Sequence, residues 1–172
     1  MNINTVFTHL PSRYQLEEFL LYLSLHPEQF PEVVDLALNS SGSKTAFRAL
    51  WACEKVSQRW PEWWTSEQTL SIRHLVMTSS HTGMVRLGLS ILYSLRCVET
   101  YDVELLNKLY DLMLSPASPP GVQSQAMRLI YQMVKDNEDL VNELWLVLDE
   151  ASDDFNSAAF RSARKNLLKR RR

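Results

Sequence analysis

Residues 84–95 read MVRLGLSILYSL, and the fold turns on them. The stretch is too long for a typical strand and has the length of a helix. On a helix it carries two apolar stripes: Val85, Gly88, Leu89 and Leu92 form one, and Met84, Leu87, Ile91 and Leu95 form the other. Only Arg86, Ser90, Ser94 and the Tyr93 hydroxyl remain for a polar edge. A helix apolar over most of its girth is a buried helix, so this one has to be covered on both sides. Gly88 costs about 1 kcal/mol in a helix interior relative to alanine. Close approach of a neighbouring helix is the compensation expected there.

Outward from that helix, the whole chain has the composition to match. Its 172 residues suffice for one domain with a proper core. A 45% hydrophobic and 22% charged composition is that of an ordinary globular protein, and a net charge of -2 supplies no global field toward nucleic acid or membrane. Only four glycines occur, and β-branched alternating runs are few, which favours an all-helical chain. Cys53 and Cys97 lie far apart within helical patterns and are expected as reduced, mostly buried thiols. The N-terminus lacks a basic region followed by an apolar core. The run FLLYLSL (Phe19 to Leu25) is too short to span a bilayer. A cytoplasmic location is the default expectation.

Along the chain, residues 1–10 show no clear period and are expected as an arm or a frayed cap. Pro11-Ser12 opens a helix from Tyr14 to Leu25, stopped by His26-Pro27; Pro31 sits at the start of Glu32 to Leu38, and Asn39 to Gly42 is a tight loop. Ser43 is expected to cap a helix from Lys44 to about Trp60, with Ala46, Leu50, Cys53, Val56 or Ser57, and Trp60 on its core stripe, ended by Pro61. Ser66 begins another, continuing to Met77 with Ile72, Leu75 and Val76. Asp102 to Leu114 turns Leu105, Leu109, Leu112 and Met113 inward; Ser115 to Gly121 is the strongest loop. Val122 to Val134 and Asp139 to Ala151 pair, and a last helix runs from about Asn156 to Lys169 with Phe160, Ala163 and Leu167 facing in.

Three of these helices echo one another. Ala46-Phe-Arg48-Ala-Leu-Trp51 returns as Met84-Val-Arg86-Leu-Gly-Leu89 and as Ala126-Met-Arg128-Leu-Ile-Tyr131, with the arginines 38 and then 42 residues apart. Each is followed by a polar break and a second amphipathic helix. Helix pairs recurring at roughly 40 residues are the signature of HEAT or armadillo-type arrays. One pair cannot bury its apolar face alone, so pairs stack, and a middle pair is the most buried. The expected fold is all-α: a right-handed α-α superhelix of helix pairs at about 12–38, 43–77, 83–114 and 120–151, closed by a capping helix at about 156–170, in a single domain over 1–172.

The same residues resemble a group of small uncharacterised bacterial HEAT-like proteins. The likeness lies in Phe47-Arg-Ala-Leu-Trp51 through Glu54-Lys55-Val56, the Trp60-Pro61-Glu62 stop, Gln125 to Tyr131, and Phe160-Arg-Ser-Ala-Arg-Lys165. It covers most of the chain after Pro31. It implies the fold, and it brings no activity and no catalytic residues with it.

Chemistry-bearing patterns are sparse. His9, His26, His74 and His81 form no close pair at helical ligand spacing, and neither cysteine stands in a Cys-x-x-Cys, so no metal site is expected. Neither a Gly-rich phosphate loop nor a Gly-x-Ser-x-Gly elbow occurs. No glycine-serine-rich catalytic loop of the fumarase type is present either. No cofactor is implied. Arg48, Arg86 and Arg128 hold the same phase in their helices, and Lys44, Lys55 and Arg59 extend the first into a basic face. That face reads either as a ridge for an anionic partner or as solvated cations paired with neighbouring carboxylates. Trp63 and Trp64 fall at a turn beside it, suited either to an interface hot spot or to packing under the turn. The chain end is polarised: residues 136–154 hold eight acidic and no basic residues, and residues 161–172 hold seven basic and no acidic ones. Mutual neutralisation is one reading, and a protruding Lys169 to Arg172 the other. Trp145-Leu-Val-Leu-Asp149 resembles the tryptophan–aspartate pairing of the HEAT-like alkylpurine DNA glycosylases in two residues only.

The function expected is a non-catalytic macromolecular interaction module, a scaffold or adaptor. Its candidate binding residues are Lys44, Arg48, Lys55, Arg59, Trp63, Trp64, Arg86 and Arg128. The partner expected is another protein, with nucleic acid as the alternative, and no membrane.

Overall fold

The computed structural model describes residues 3–8, 12–39, 44–96, 102–151 and 157–171. Among the described residues there are ten α-helices and no strand. The chain divides into two compact units, Met1–Leu95 and Arg96–Arg172. The first holds α1 (Ile3–Thr8), α2 (Arg13–Leu25), α3 (Phe30–Asn39), α4 (Lys44–Arg59), α5 (Ser66–Thr78) and α6 (Thr82–Leu95). The second holds α7 (Val103–Leu114), α8 (Pro120–Val134), α9 (Glu138–Glu150) and α10 (Ala158–Leu168).

In the first unit α4 packs against α1, α2, α3 and α6, and α6 packs against α4 and α5. From Met84 to Leu92 every residue except Arg86 is buried, as the two apolar stripes require. Gly88 has the neighbour expected of it. A Cβ built there would lie 2.7 Å from Val76 Cγ2 and 3.3 Å from Leu75 Cδ2. The missing side chain is therefore what lets α5 seat on α6, and close packing offsets the helix-propensity penalty. Cys53 is a free, fully buried thiol on α4, and burial pushes its ionisation far above the usual thiol range. Cys97 lies outside the described residues, as do His9, Ser43 and the loop positions 40–42.

Two details differ from the sequence expectation. Residues 3–8 are a packed helix, neither an arm nor a frayed cap: Ile3 and Phe7, one turn apart, are buried, and the Phe7 ring meets Phe19 edge-on at 4.9 Å. A single i,i+4 pair is too short to register as a period, and only packing on α4 gives it meaning. The prolines that end α2 and α4 also begin one-turn 3-10 helices, Pro27–Gln29 and Pro61–Trp63. The residues before them take nearly the same backbone conformation, with φ -135°, ψ 58° at His26 and φ -138°, ψ 64° at Trp60. A residue before proline is driven out of the α region, so X-Pro-Glu makes the same turn each time. Pro27-Glu28 and Pro61-Glu62 thus mark a second internal echo, 34 residues apart.

Capping sets most other boundaries. Ser12 accepts the Gln15 amide at the start of α2. Thr65 caps α5, which begins at Ser66, in a capping box with Gln68. In the second unit Asp102, Asn137 and Ser157 cap α7, α9 and α10, and Pro120 takes the first position of α8. There α8 packs against α7, α9 and α10. Leu105, Leu106, Leu109 and Met113 of α7 are buried, whereas Leu112 and Ala163, expected inward, are half-buried.

Candidate functional site

The basic face expected along α4 is largely consumed by the fold. Arg48 Nη1 donates to the carbonyls of Phe7 at 3.0 Å and Thr8 at 2.7 Å, satisfying the C-terminal end of α1. Lys55 Nζ lies 2.9 Å from Glu54 Oε2. Glu54 itself is buried, and its Oε1 accepts from Ser90 Oγ at 2.9 Å and Gln58 Nε2 at 2.8 Å. Lys55 therefore neutralises a carboxylate held between α4 and α6, and Ser90, expected on the polar edge, is buried against it. Arg59 Nη2 pairs with Glu17 Oε2 at 2.6 Å. Lys44 is exposed and Arg86 half-buried in the first unit, and Arg128 is exposed in the second. None of these last three has an ion pair among the described residues.

The tryptophans form a packed cluster rather than an open platform. Trp60 and Trp63 stack in parallel, 4.6 Å apart with 8° between planes, and Phe30 meets Trp64 edge-on at 5.2 Å. Trp63 and Trp64 are both half-buried. The cluster staples the turn between α4 and α5 onto the start of α3.

The polarised chain end is drawn together within the second unit. Arg171 Nη1 pairs with Asp149 Oδ2 at 2.6 Å, Arg170 lies over the Tyr131 ring at 5.6 Å, and Arg164 donates to the Ala151 carbonyl. Trp145 is buried against Tyr131, with ring centroids 5.7 Å apart. The tryptophan and aspartate of the glycosylase-like pair therefore do not present a shared surface: one is core, and the other is engaged by an arginine. Asp153, Asp154 and Arg172 lie outside the described residues.

A feature the sequence did not single out is a groove of about 930 Å³ within the first unit. Asp35, Leu38 and Asn39 of α3 form one wall and Glu67, Leu70, His74 and Leu75 of α5 the other; Met84 of α6 and the 78–81 connection also line it. Leu70 is 64% exposed; other large apolar side chains such as Leu21 and Leu25 are exposed too, but Leu70 stands in the groove wall. His81 accepts the Met84 amide on Nδ1 at 3.2 Å and so caps α6 with an unprotonated ring nitrogen. Among the described residues no lysine or arginine lines the groove, and its formal charges are the carboxylates of Asp35 and Glu67. Neither carboxylate is ion-paired among the described residues. Sequence periodicity counts Leu70 and Leu38 as ordinary amphipathic positions, yet Leu70 is exposed and Leu38 only half-buried.

Among the described residues, no group of three or more His, Cys, Asp and Glu side chains converges to hold a metal ion. No helix among them is long and apolar enough to cross a membrane. Compared with known proteins, a family model described as HEAT repeat domain matches residues 9–171. Neither a curated protein nor a solved structure matches the chain.

Proposed function

The chain belongs to the HEAT repeat domain family, and from that premise we propose that it is a non-catalytic interaction module that docks a protein partner in the cytoplasm, in the groove between α3 and α5. HEAT repeats generally mediate protein interactions, offering surfaces built by stacked helix pairs. The observation that carries the assignment is the groove itself. It sets an exposed leucine among half-buried apolar neighbours and is rimmed by polar residues, the pattern of a protein-binding surface. Its two carboxylates disfavour a phosphate backbone. Arg48, Lys55 and Arg59, three cations of the face that suggested nucleic acid, are occupied by Phe7, Thr8, Glu54 and Glu17.

The test is capture from native lysate, with and without nuclease treatment, by the tagged chain and by its Leu70→Asp variant. The expected result is a protein retained by the parent chain and lost by the variant, whose exposed site leaves the fold intact. Retention by both chains overturns the groove as the docking surface. Capture that disappears with nuclease, and weakens steeply with salt, replaces this reading with nucleic-acid binding through Lys44, Arg86 or Arg128.

A further inference from the structure

We propose that the α3–α5 groove selects a segment of its protein partner that carries lysine or arginine beside an apolar anchor. This rests on the groove being the docking surface, and it adds the chemistry of the occupant. Leu38, Leu70 and Leu75 offer an apolar seat. Among the described residues that line it, the formal charges are negative: Asp35 on one wall and Glu67 on the other, both exposed and both without an ion pair among the described residues.

Elsewhere in the first unit two carboxylates already have cations: Glu17 has Arg59 and Glu54 has Lys55. Like Glu18, Glu32 and Glu62, the two groove carboxylates have no ion pair among the described residues; what sets them apart is their place, one on each of the two facing helices beside the apolar seat. Like charges left together on an otherwise apolar surface steer and orient a partner of opposite charge. Neither groove histidine forms an ion pair with these carboxylates among the described residues: His81 accepts the Met84 amide on Nδ1 at the start of α6, and His74 is exposed. An acidic segment would meet both carboxylates without a compensating cation, so the same residues that favour a basic partner reject an acidic one.

Two labelled synthetic peptides of about four helical turns, one alternating leucine with lysine on an amphipathic pattern and one leucine with glutamate, serve as probes by fluorescence anisotropy against the full chain. The expected result is binding of the leucine–lysine peptide at least about tenfold tighter than the leucine–glutamate peptide. Rising salt should weaken it, as for exposed charge pairs. Asp35→Lys with Glu67→Lys should reverse the preference, and Leu70→Asp should weaken binding of whichever peptide is preferred. Both carboxylates are exposed, so the double variant retains its helical spectrum and serves as a folded control.

Equal affinity for the two peptides overturns the charge selection, as does a preference that survives the double reversal. Those outcomes leave docking itself standing if Leu70→Asp still abolishes capture of the native partner. A Leu70→Asp chain that keeps its partner removes both the groove and this inference.

Discussion

Each unit is organised around one helix, and the two helices carry nearly the same opening. In α4 it is Ala46-Phe-Arg48-Ala-Leu-Trp51, and in α8 Ala126-Met-Arg128-Leu-Ile-Tyr131. Ala46, Ala49 and Leu50 are buried in one, and Ala126, Leu129 and Ile130 in the other. The arginines part company. Arg48 is half-buried and tied to two carbonyls at the end of α1, whereas Arg128 is exposed with no ion pair among the described residues. The aromatic positions diverge as well: Tyr131 packs on Trp145 and takes Arg170 over its ring. The difference teaches that a repeat motif sets which side chains can be core, while what lies over the helix sets the role of its polar residues.

The third copy of the motif sharpens this most. Where α4 has Leu50 and α8 has Ile130, α6 has Gly88. Restoring the pattern with Gly88→Leu should be the most damaging change, because even a Cβ lands 2.7 Å from Val76 Cγ2 in the buried contact with α5. Overpacking costs about 1–3 kcal/mol in a well-packed core and more for a larger group. Chemical denaturation should therefore show loss of the cooperative transition for Gly88→Leu. Gly88→Ala should lose up to about 2 kcal/mol after its gain in helix propensity. A stabilised Gly88→Ala chain would break the account of how α5 and α6 meet.

The paired arginines come next. Arg48→Ala removes charge-assisted bonds to the last carbonyls of α1, and should cost about 1.5–3 kcal/mol by urea unfolding. Arg128→Ala should stay within about 0.5 kcal/mol, as an exposed substitution. Equal losses at the two positions would mean that the motif, not the covering helix, decides the arginine's role.

Alkaline pH gives the smallest contrast, with one buried acid in each unit. Burial raises the Cys53 thiol far above its ordinary value, and burial with the nearby Glu143 charge pushes Tyr110 up to about 12. Both groups bind their proton more tightly in the folded chain than in the unfolded one. Their contribution is complete below the unfolded values, about 8.5 for the thiol and about 10 for the phenol, and is lost as pH rises through the folded values. Stability measured across that range should fall first through Cys53 and then through Tyr110. Cys53→Ala should remove the earlier decline and Tyr110→Phe the later one. An unchanged alkaline profile in both variants would place the titration elsewhere.

Much of the fold was legible because it rests on local rules. The apolar girth of residues 84–92, the need for a close neighbour at Gly88, the proline stops and the helix-pair period all follow from side-chain spacing. Other features were not legible. Ile3 and Phe7 are too few to show a period, yet they are buried once α4 supplies a surface. The second echo, Pro27-Glu28 and Pro61-Glu62, is visible in the sequence but gains significance only from the matching turns it makes.

For the site the balance reverses. The candidate residues were chosen by type and phase, and phase on a helix does not say what sits opposite. Glu54 could not be assigned to Lys55 and Ser90, nor Arg48 to the end of α1, because those partners come from other helices or from a buried side of the same one. By itself the sequence determined helix content, repeat period and which faces seek a core, since these depend on residues a few positions apart. Tertiary structure alone decided which cations are spent inside the fold and where an apolar wall is left open beside unpaired carboxylates. Those outcomes depend on distances between helices that no single helix encodes.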